Sequence, residues 1–173
     1  MLAESSETLY GGAGNDTLEG DDNHTNNLYG DAGRDYLMLN DTMDTASGGS
    51  GRDSFEFRWG DGTLRSEMVR HVADLDAGAG AGEQIIFIDR SHLMDGTIPF
   101  GEVEDKYFYA GDGAGAVAQT ADHHFIYDRV SGALYYDSNG NGIGAQTLIG
   151  DIQLAAGQLS ASNLYRTDGW GED

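Results

Sequence analysis

The chain has 173 residues with 30 acidic and only 9 Lys or Arg side chains, a formal charge of −21. Such a balance argues against binding nucleic acid or an anionic membrane through a basic surface, and the absence of cysteine removes disulfides and thiolate-ligated metals. With 27 glycines and one proline the composition is an unusual basis for a compact core, so the glycines and the acids need a common explanation.

From the N-terminus onward the glycines repeat. A nine-residue register of the form Gly-Gly-x-Gly-x-Asp-x-Leu-x is clearest in Gly11–Glu19, and again in Gly30–Met38 and Gly48–Glu56. Degenerate units lie between and before them. Gly20–Tyr29 has one extra residue and puts Asn26 and Leu28 in the Asp and Leu slots, Leu39–Ser47 keeps Asp44 and Ala46, and Leu2–Tyr10 fits loosely with Glu7 and Leu9. Because good and poor units alternate, two units make one coil, and like stacks on like. Each short x-Leu-x strand then points one side chain inward, which predicts two ladders, Leu18–Leu37–Phe55 and Leu9–Leu28–Ala46. Stacked strands lie ~4.8 Å apart, so Asp16, Asp35 and Asp53 would repel their neighbours by roughly 3 kcal/mol at an effective dielectric near 20. Glycine turns can aim carbonyl oxygens inward, and carbonyls plus one carboxylate from each of two adjacent turns make an all-oxygen cage suited to calcium rather than magnesium.

These units resemble the hemolysin-type, or RTX, nonapeptide repeats of bacterial proteins exported by type I secretion. The resemblance implies an all-β chain: a calcium-filled parallel β-roll over residues 1–56, followed by a β-rich capping segment over 57–173 that continues the roll. It assigns calcium to carbonyls at the second and fourth positions and to the sixth-position acid, here Gly12, Gly14, Asp16, Asp31, Gly33, Asp35, Gly49, Gly51 and Asp53. Asn26 and Asp44 hold the equivalent slots of the degenerate face. It also implies secretion to the extracellular space without a Sec signal peptide, transient contact with the type I machinery, and a signal at the extreme C-terminus, where Ser162–Tyr165 is followed by Arg166 to Asp173.

Beyond the nonads, Val69–Leu75 and Gln84–Asp89 read as strands around a Gly/Ala loop, with a helix over Leu64–Val72 as the rival reading of the first. Val72-Ala73-Asp74-Leu75-Asp76 is similar to the stretch that follows RTX repeats, which implies that Asp74 and Asp76 cap the last calcium. Phe125–Asp128 and Ala133–Asp137 flank a short loop ending in Gly132 and predict a hairpin, with a third strand over Gln146–Ile149. The passage His124–Ile149 resembles the terminal segment of serralysin-type proteins, and its expected role is to cover the open end of the roll, where Phe55 would otherwise be exposed.

Asp137-Ser138-Asn139-Gly140-Asn141-Gly142 matches the opening of an EF-hand loop, but Leu148 stands where a bidentate Glu is required. An Asn/Gly-rich turn is the preferred reading, with calcium the alternative. No histidine pair has metalloprotease spacing, no Gly-x-Ser-x-Gly occurs, and adjacent His123 and His124 would face opposite sides of a strand. The expectation is therefore a non-enzymatic calcium-binding and folding module. The alternative is a calcium-dependent module that binds extracellular polysaccharide, with Tyr107, Tyr109, Tyr127, Tyr135 and Tyr136 as possible sheet-face contacts.

Overall fold

The computed structural model describes residues 6–21, 24–40, 43–58, 69–89, 98–113, 116–140 and 146–168. Its first half winds as a coil of short strands. β1 (Thr8–Ala13) leads through a glycine turn into β2 (Thr17–Glu19), β3 (Asn27–Gly33) into β4 (Tyr36–Leu39), and β5 (Thr45–Ser47) with β6 (Ser50–Gly51) into β7 (Ser54–Arg58). All of these pair in parallel: β1–β3–β5 on one side, β2–β4–β7 on the other, with β6 against the end of β3.

The winding does not stop at residue 56. β8 (Arg70–Ala77) joins β5 and β9 (Gln84–Ile88) joins β7, again in parallel, making a fourth coil. No α-helix occurs among the described residues. Arg70–Val72 lie in β8, which removes the helical reading of Leu64–Val72 over that part; Leu64–Met68 lie outside the described residues. The reason is positional, because Val72 takes the inward slot against Ala46, a contact that only an extended backbone in this register makes.

The chain then leaves the roll for β10 (Gly101–Glu102), β11 (Phe108–Gly111), β12 (Phe125–Asp128) and β13 (Ala133–Asp137), and returns in β14 (Gln146–Gly157) and β15 (Leu164–Thr167). β12 and β13 form the expected antiparallel hairpin. β14 is antiparallel to β13 on one edge and parallel to β8 on the other, while β15 is parallel to β9. The last two strands therefore build a fifth coil. β14 runs on to Gly157 instead of stopping at Ile149, since Gly150 acts as a close-packing residue: a Cβ there would meet the Phe57 ring at 3.0 Å. β10 closes the second sheet beside β15, and β11 and β12 extend the first.

Both predicted ladders are present and longer than expected. One runs Leu18–Leu37–Phe55–Ile85–Leu164, the other Leu9–Leu28–Ala46–Val72–Ile152. All except the two terminal members, Leu9 and Leu18, are fully buried. Phe55 is thus covered by Ile85 of the fourth coil, not by the terminal hairpin. The fold is a two-sheet parallel β-roll.

Candidate metal centre

The turns between the two sheets repeat their backbone conformation. At the second position φ is +92° at Gly12, +71° at Asp31 and +89° at Gly49; at the fourth it is +130° at Gly14, +144° at Gly33 and +143° at Gly51. Glycine is required most strictly at the fourth position, where successive coils touch: a Cβ on Gly33 would lie 1.5 Å from the Gly14 carbonyl oxygen, and one on Gly51 1.6 Å from that of Gly33. Asp31 reaches the left-handed region as the one non-glycine of this set, which short polar side chains tolerate best.

The sixth-position acids form a line along the roll axis. The backbone N–H of Asp16 donates to Asp35 Oδ1 at 2.9 Å, and that of Asp35 donates to Asp53 Oδ1 at 2.8 Å. The Asp35 and Asp53 carboxylates thus tie their coils to the one before. The second oxygen has no such use: Oδ2 of Asp16, Asp35 and Asp53 is buried without a hydrogen-bond partner. These oxygens turn back into their own loops, where Oδ2 of Asp35 would lie 2.4 Å from a Cβ on Gly30, and that of Asp53 the same distance from one on Gly48. A buried carboxylate oxygen with no donor is costly, and three in line repeat that cost. They fit a hard cation. Burial pushes the pKa of Asp53 up, with Asp35 and Asp74 adding like charge, against the pull of the Asp35 amide.

Glu83 extends this line, and the sequence reading missed it. It precedes β9 as Asp53 precedes β7, and the paired residues Ser54 and Gln84 put the two acids in register. The signal was present: Gly78-Ala79-Gly80-Ala81-Gly82-Glu83-Gln84-Ile85-Ile86 is a weak nonad with Glu for Asp and Ile for Leu. Glu83 is buried and its Oε2 accepts the Asp76 N–H at 2.6 Å. Burial first, then the charges of Asp53, Asp74 and Asp76, hold its pKa at about 7 despite that hydrogen bond.

Asp74 and Asp76 sit beside this turn but have other partners. Asp74 accepts the Ser47 hydroxyl at 2.6 Å and the N–H groups of Gly48 and Gly49 at 2.9 and 3.0 Å, so it fastens the third glycine turn to β8. Asp76 accepts the Gly78 N–H at 2.8 Å and shapes the fourth turn.

On the opposite edge the same ladder recurs with different chemistry. The Glu7 N–H donates to Asn26 Oδ1 at 3.3 Å and the Asn26 N–H to Asp44 Oδ1 at 2.8 Å. Here the Asn26 amide nitrogen lies where the first face has an orphan oxygen, and it donates to the Asp21 and His24 carbonyls and to Asp44 Oδ1. That turn draws its carbonyls inward with its own N–H donors.

Among the described residues no three His, Asp or Glu side chains converge as a side-chain metal site requires. The acids are strung along the roll with one per turn, so an ion beside them must draw most of its oxygens from the backbone, as the carbonyls of Gly12, Gly14, Asp31, Gly33, Gly49 and Gly51 could supply. Of the tyrosines named above, Tyr107, Tyr127 and Tyr136 are buried; Tyr109 and Tyr135 are partly exposed, and Tyr109 stacks on His123 at 5.2 Å. Exposed Tyr10 stacks on half-buried Tyr29 of the adjacent coil, with ring centroids 5.1 Å apart and planes 13° from parallel. His124 is buried and His123 partly exposed in the two residues that lead into β12.

No protein-family profile and no curated protein matches the chain. Among solved structures, it resembles the solution structure of the AlgE6R3 subunit from the Azotobacter vinelandii mannuronan C5-epimerase, with a TM-score of 0.48 and 21% identity over 99% of this chain and 83% of that one. The assignment of a parallel roll rests on the strand register of this chain.

Proposed function

We propose that the chain is a calcium-dependent folding module of the RTX type, part of a protein secreted by the type I route and folded outside the cell. The observation that carries this reading is the row of buried, partnerless Oδ2 atoms on Asp16, Asp35 and Asp53, each inside a glycine turn. Those three acids, with the second- and fourth-position carbonyls, hold the ions; Asn26 and Asp44 close their turns through the Asn26 amide. When bound, calcium neutralises the line of carboxylates and fixes the turns. Without it, a core one side chain deep on each face does not offset the ordering entropy of so glycine-rich a chain. A site with a dissociation constant of ~0.1 mM contributes about 1.4 kcal/mol at 1 mM calcium, so several acting together decide folding.

A calcium titration followed by circular dichroism and calorimetry tests this. A cooperative gain of β-structure with calcium and not with magnesium is expected; a chain equally folded in chelator, or equally responsive to magnesium, overturns the proposal. Asp35→Asn keeps the acceptor for the Asp16 N–H and removes only the charge. It should raise the calcium concentration at half-folding about tenfold, equivalent to about 1.4 kcal/mol.

A second reading, calcium-dependent polysaccharide binding, is favoured by the Tyr10–Tyr29 pair, since Tyr10 is 68% exposed and its ring is held flat by its neighbour. Sugar rings stack on such platforms. Saturable glycan binding that needs calcium and is lost in Tyr10→Ala would establish it; binding unaffected by that change would remove it.

A further inference from the structure

One more buried carboxylate oxygen lacks a partner, and it lies away from the glycine turns of the roll. Asp137 ends β13 and is fully buried. Its Oδ1 accepts the N–H groups of Asn139 and Gly140, both at 3.1 Å, whereas its Oδ2 is buried without any hydrogen bond. Among the described residues no Lys, Arg or His pairs with this carboxylate.

The main chain around Asp137 is held hard in place. Its N–H donates to the His124 carbonyl at 2.7 Å, and its own carbonyl accepts from His124 Nδ1 at 2.7 Å, so Nδ1 carries the ring proton. Gly140 fits against the Ala121 carbonyl, which would lie 1.8 Å from a Cβ there, and it takes a φ of +66°. Between these fixed points Ser138 and Asn139 are exposed. The turn is therefore rigid and buried at its base and open to solvent at its rim. Its sequence, Asp137-Ser138-Asn139-Gly140, places side-chain oxygens at the two-residue spacing with which loops serve a hard cation. Asn141–Ala145 lie outside the described residues.

We propose that the segment Asp137–Gly140 at the end of β13 binds one divalent cation, calcium, through Asp137, with Asn139 at the rim. A fixed carboxylate with one oxygen committed to backbone amides and the other buried without a donor is unfavourable alone, and a hard cation supplies the missing charge. The site is independent of the roll turns. Leu148 in place of the bidentate Glu makes it weaker than a complete EF-hand loop.

The test is the number of calcium ions bound per folded chain, by equilibrium dialysis at saturating calcium, with circular dichroism to show that the roll is formed. Asp137→Asn preserves the acceptor for Asn139 and Gly140 and removes the charge. It should bind one ion fewer than the unaltered chain while keeping its β-structure, a result that also separates this site from those of the roll. An unchanged count overturns the proposal and assigns the second oxygen to a proton or a water. If Asp137→Asn does not fold, Asn139→Ala serves in its place. Weakening of a single binding step by about tenfold supports the site, and an unaltered isotherm rejects it.

Discussion

At the scale of single residues, the two positive-φ positions of each glycine turn do different work. In the first turn position two has room and needs only the left-handed backbone: nothing lies within 4 Å of a Cβ on Gly12, whereas one on Gly49 of the third turn would meet the Asp31 carbonyl oxygen at 2.2 Å. Position four of the second and third turns, Gly33 and Gly51, needs that backbone and a missing side chain as well. Gly12→Ala should therefore cost about 1–2 kcal/mol of stability, the ordinary penalty of a left-handed non-glycine residue. Gly33→Ala should cost more, since its Cβ meets the Gly14 carbonyl and two coils must separate. Urea unfolding of both variants in saturating calcium measures the difference, and equal costs would show that the coils are not in contact at Gly14. The nonad made these glycines legible. It did not show that Asn26 would replace an orphan oxygen with an N–H donor, because that depends on which carbonyls the turn brings within reach.

Among the elements, β15 lies inside the second sheet, between β10 and β9. Leu164 continues the inward ladder, and Arg166 lies buried against Asp89, with Nη2 donating to Oδ2 at 2.5 Å and Nε to the same oxygen at 3.1 Å. Arg166 also donates to the Ile98 carbonyl. Removing one member of a buried pair leaves the other charge uncompensated, so Arg166→Met should destabilise by about 3–5 kcal/mol. Arg166→Met combined with Asp89→Leu should recover part of the loss in the same unfolding assay. Strand β9 carried a clear apolar run. Its partnership with β15 did not show, since neither strand contains a signal for the other.

For the whole molecule, the line of acids sets the response to pH. Glu83, with a pKa of about 7, and Asp53, also raised, both bind their protons more tightly in the folded chain than an exposed carboxyl would. The sign follows from linkage: metal-free stability is greatest below the ordinary carboxylate range and is lost as pH rises through the raised values. Metal-free protein held folded by sucrose should thus grow less stable between pH 5 and 8, and Glu83→Gln should flatten that slope. Urea midpoints across that range check both. The fifth coil gives a second prediction at this scale. A chain cut after Ala145 lacks β14 and β15, leaves Val72 and Ile85 on open edges, and should show no cooperative folding by circular dichroism at any calcium concentration.

Local repetition let the sequence alone determine the roll, its inward ladders and the first-face turn acids, because a nine-residue period places every inward and every turn residue without reference to distant chain. The hairpin was legible for the same reason: its strands are neighbours in sequence and joined by a short loop. Only the tertiary structure decided where the roll ends. The fourth and fifth coils meet through residues such as His71 and Asp151, eighty positions apart. No periodicity spans that distance, and the pairing is selected by the open edges of β8 and β9, which must be covered by whichever strands fit their inward residues. The partners of the carboxylates were likewise a tertiary matter. Sequence places an acid in each first-face turn; the folded backbone ties one oxygen of Asp35, Asp53 and Asp137 to amides and buries the other, like Oδ2 of Asp16, without a donor.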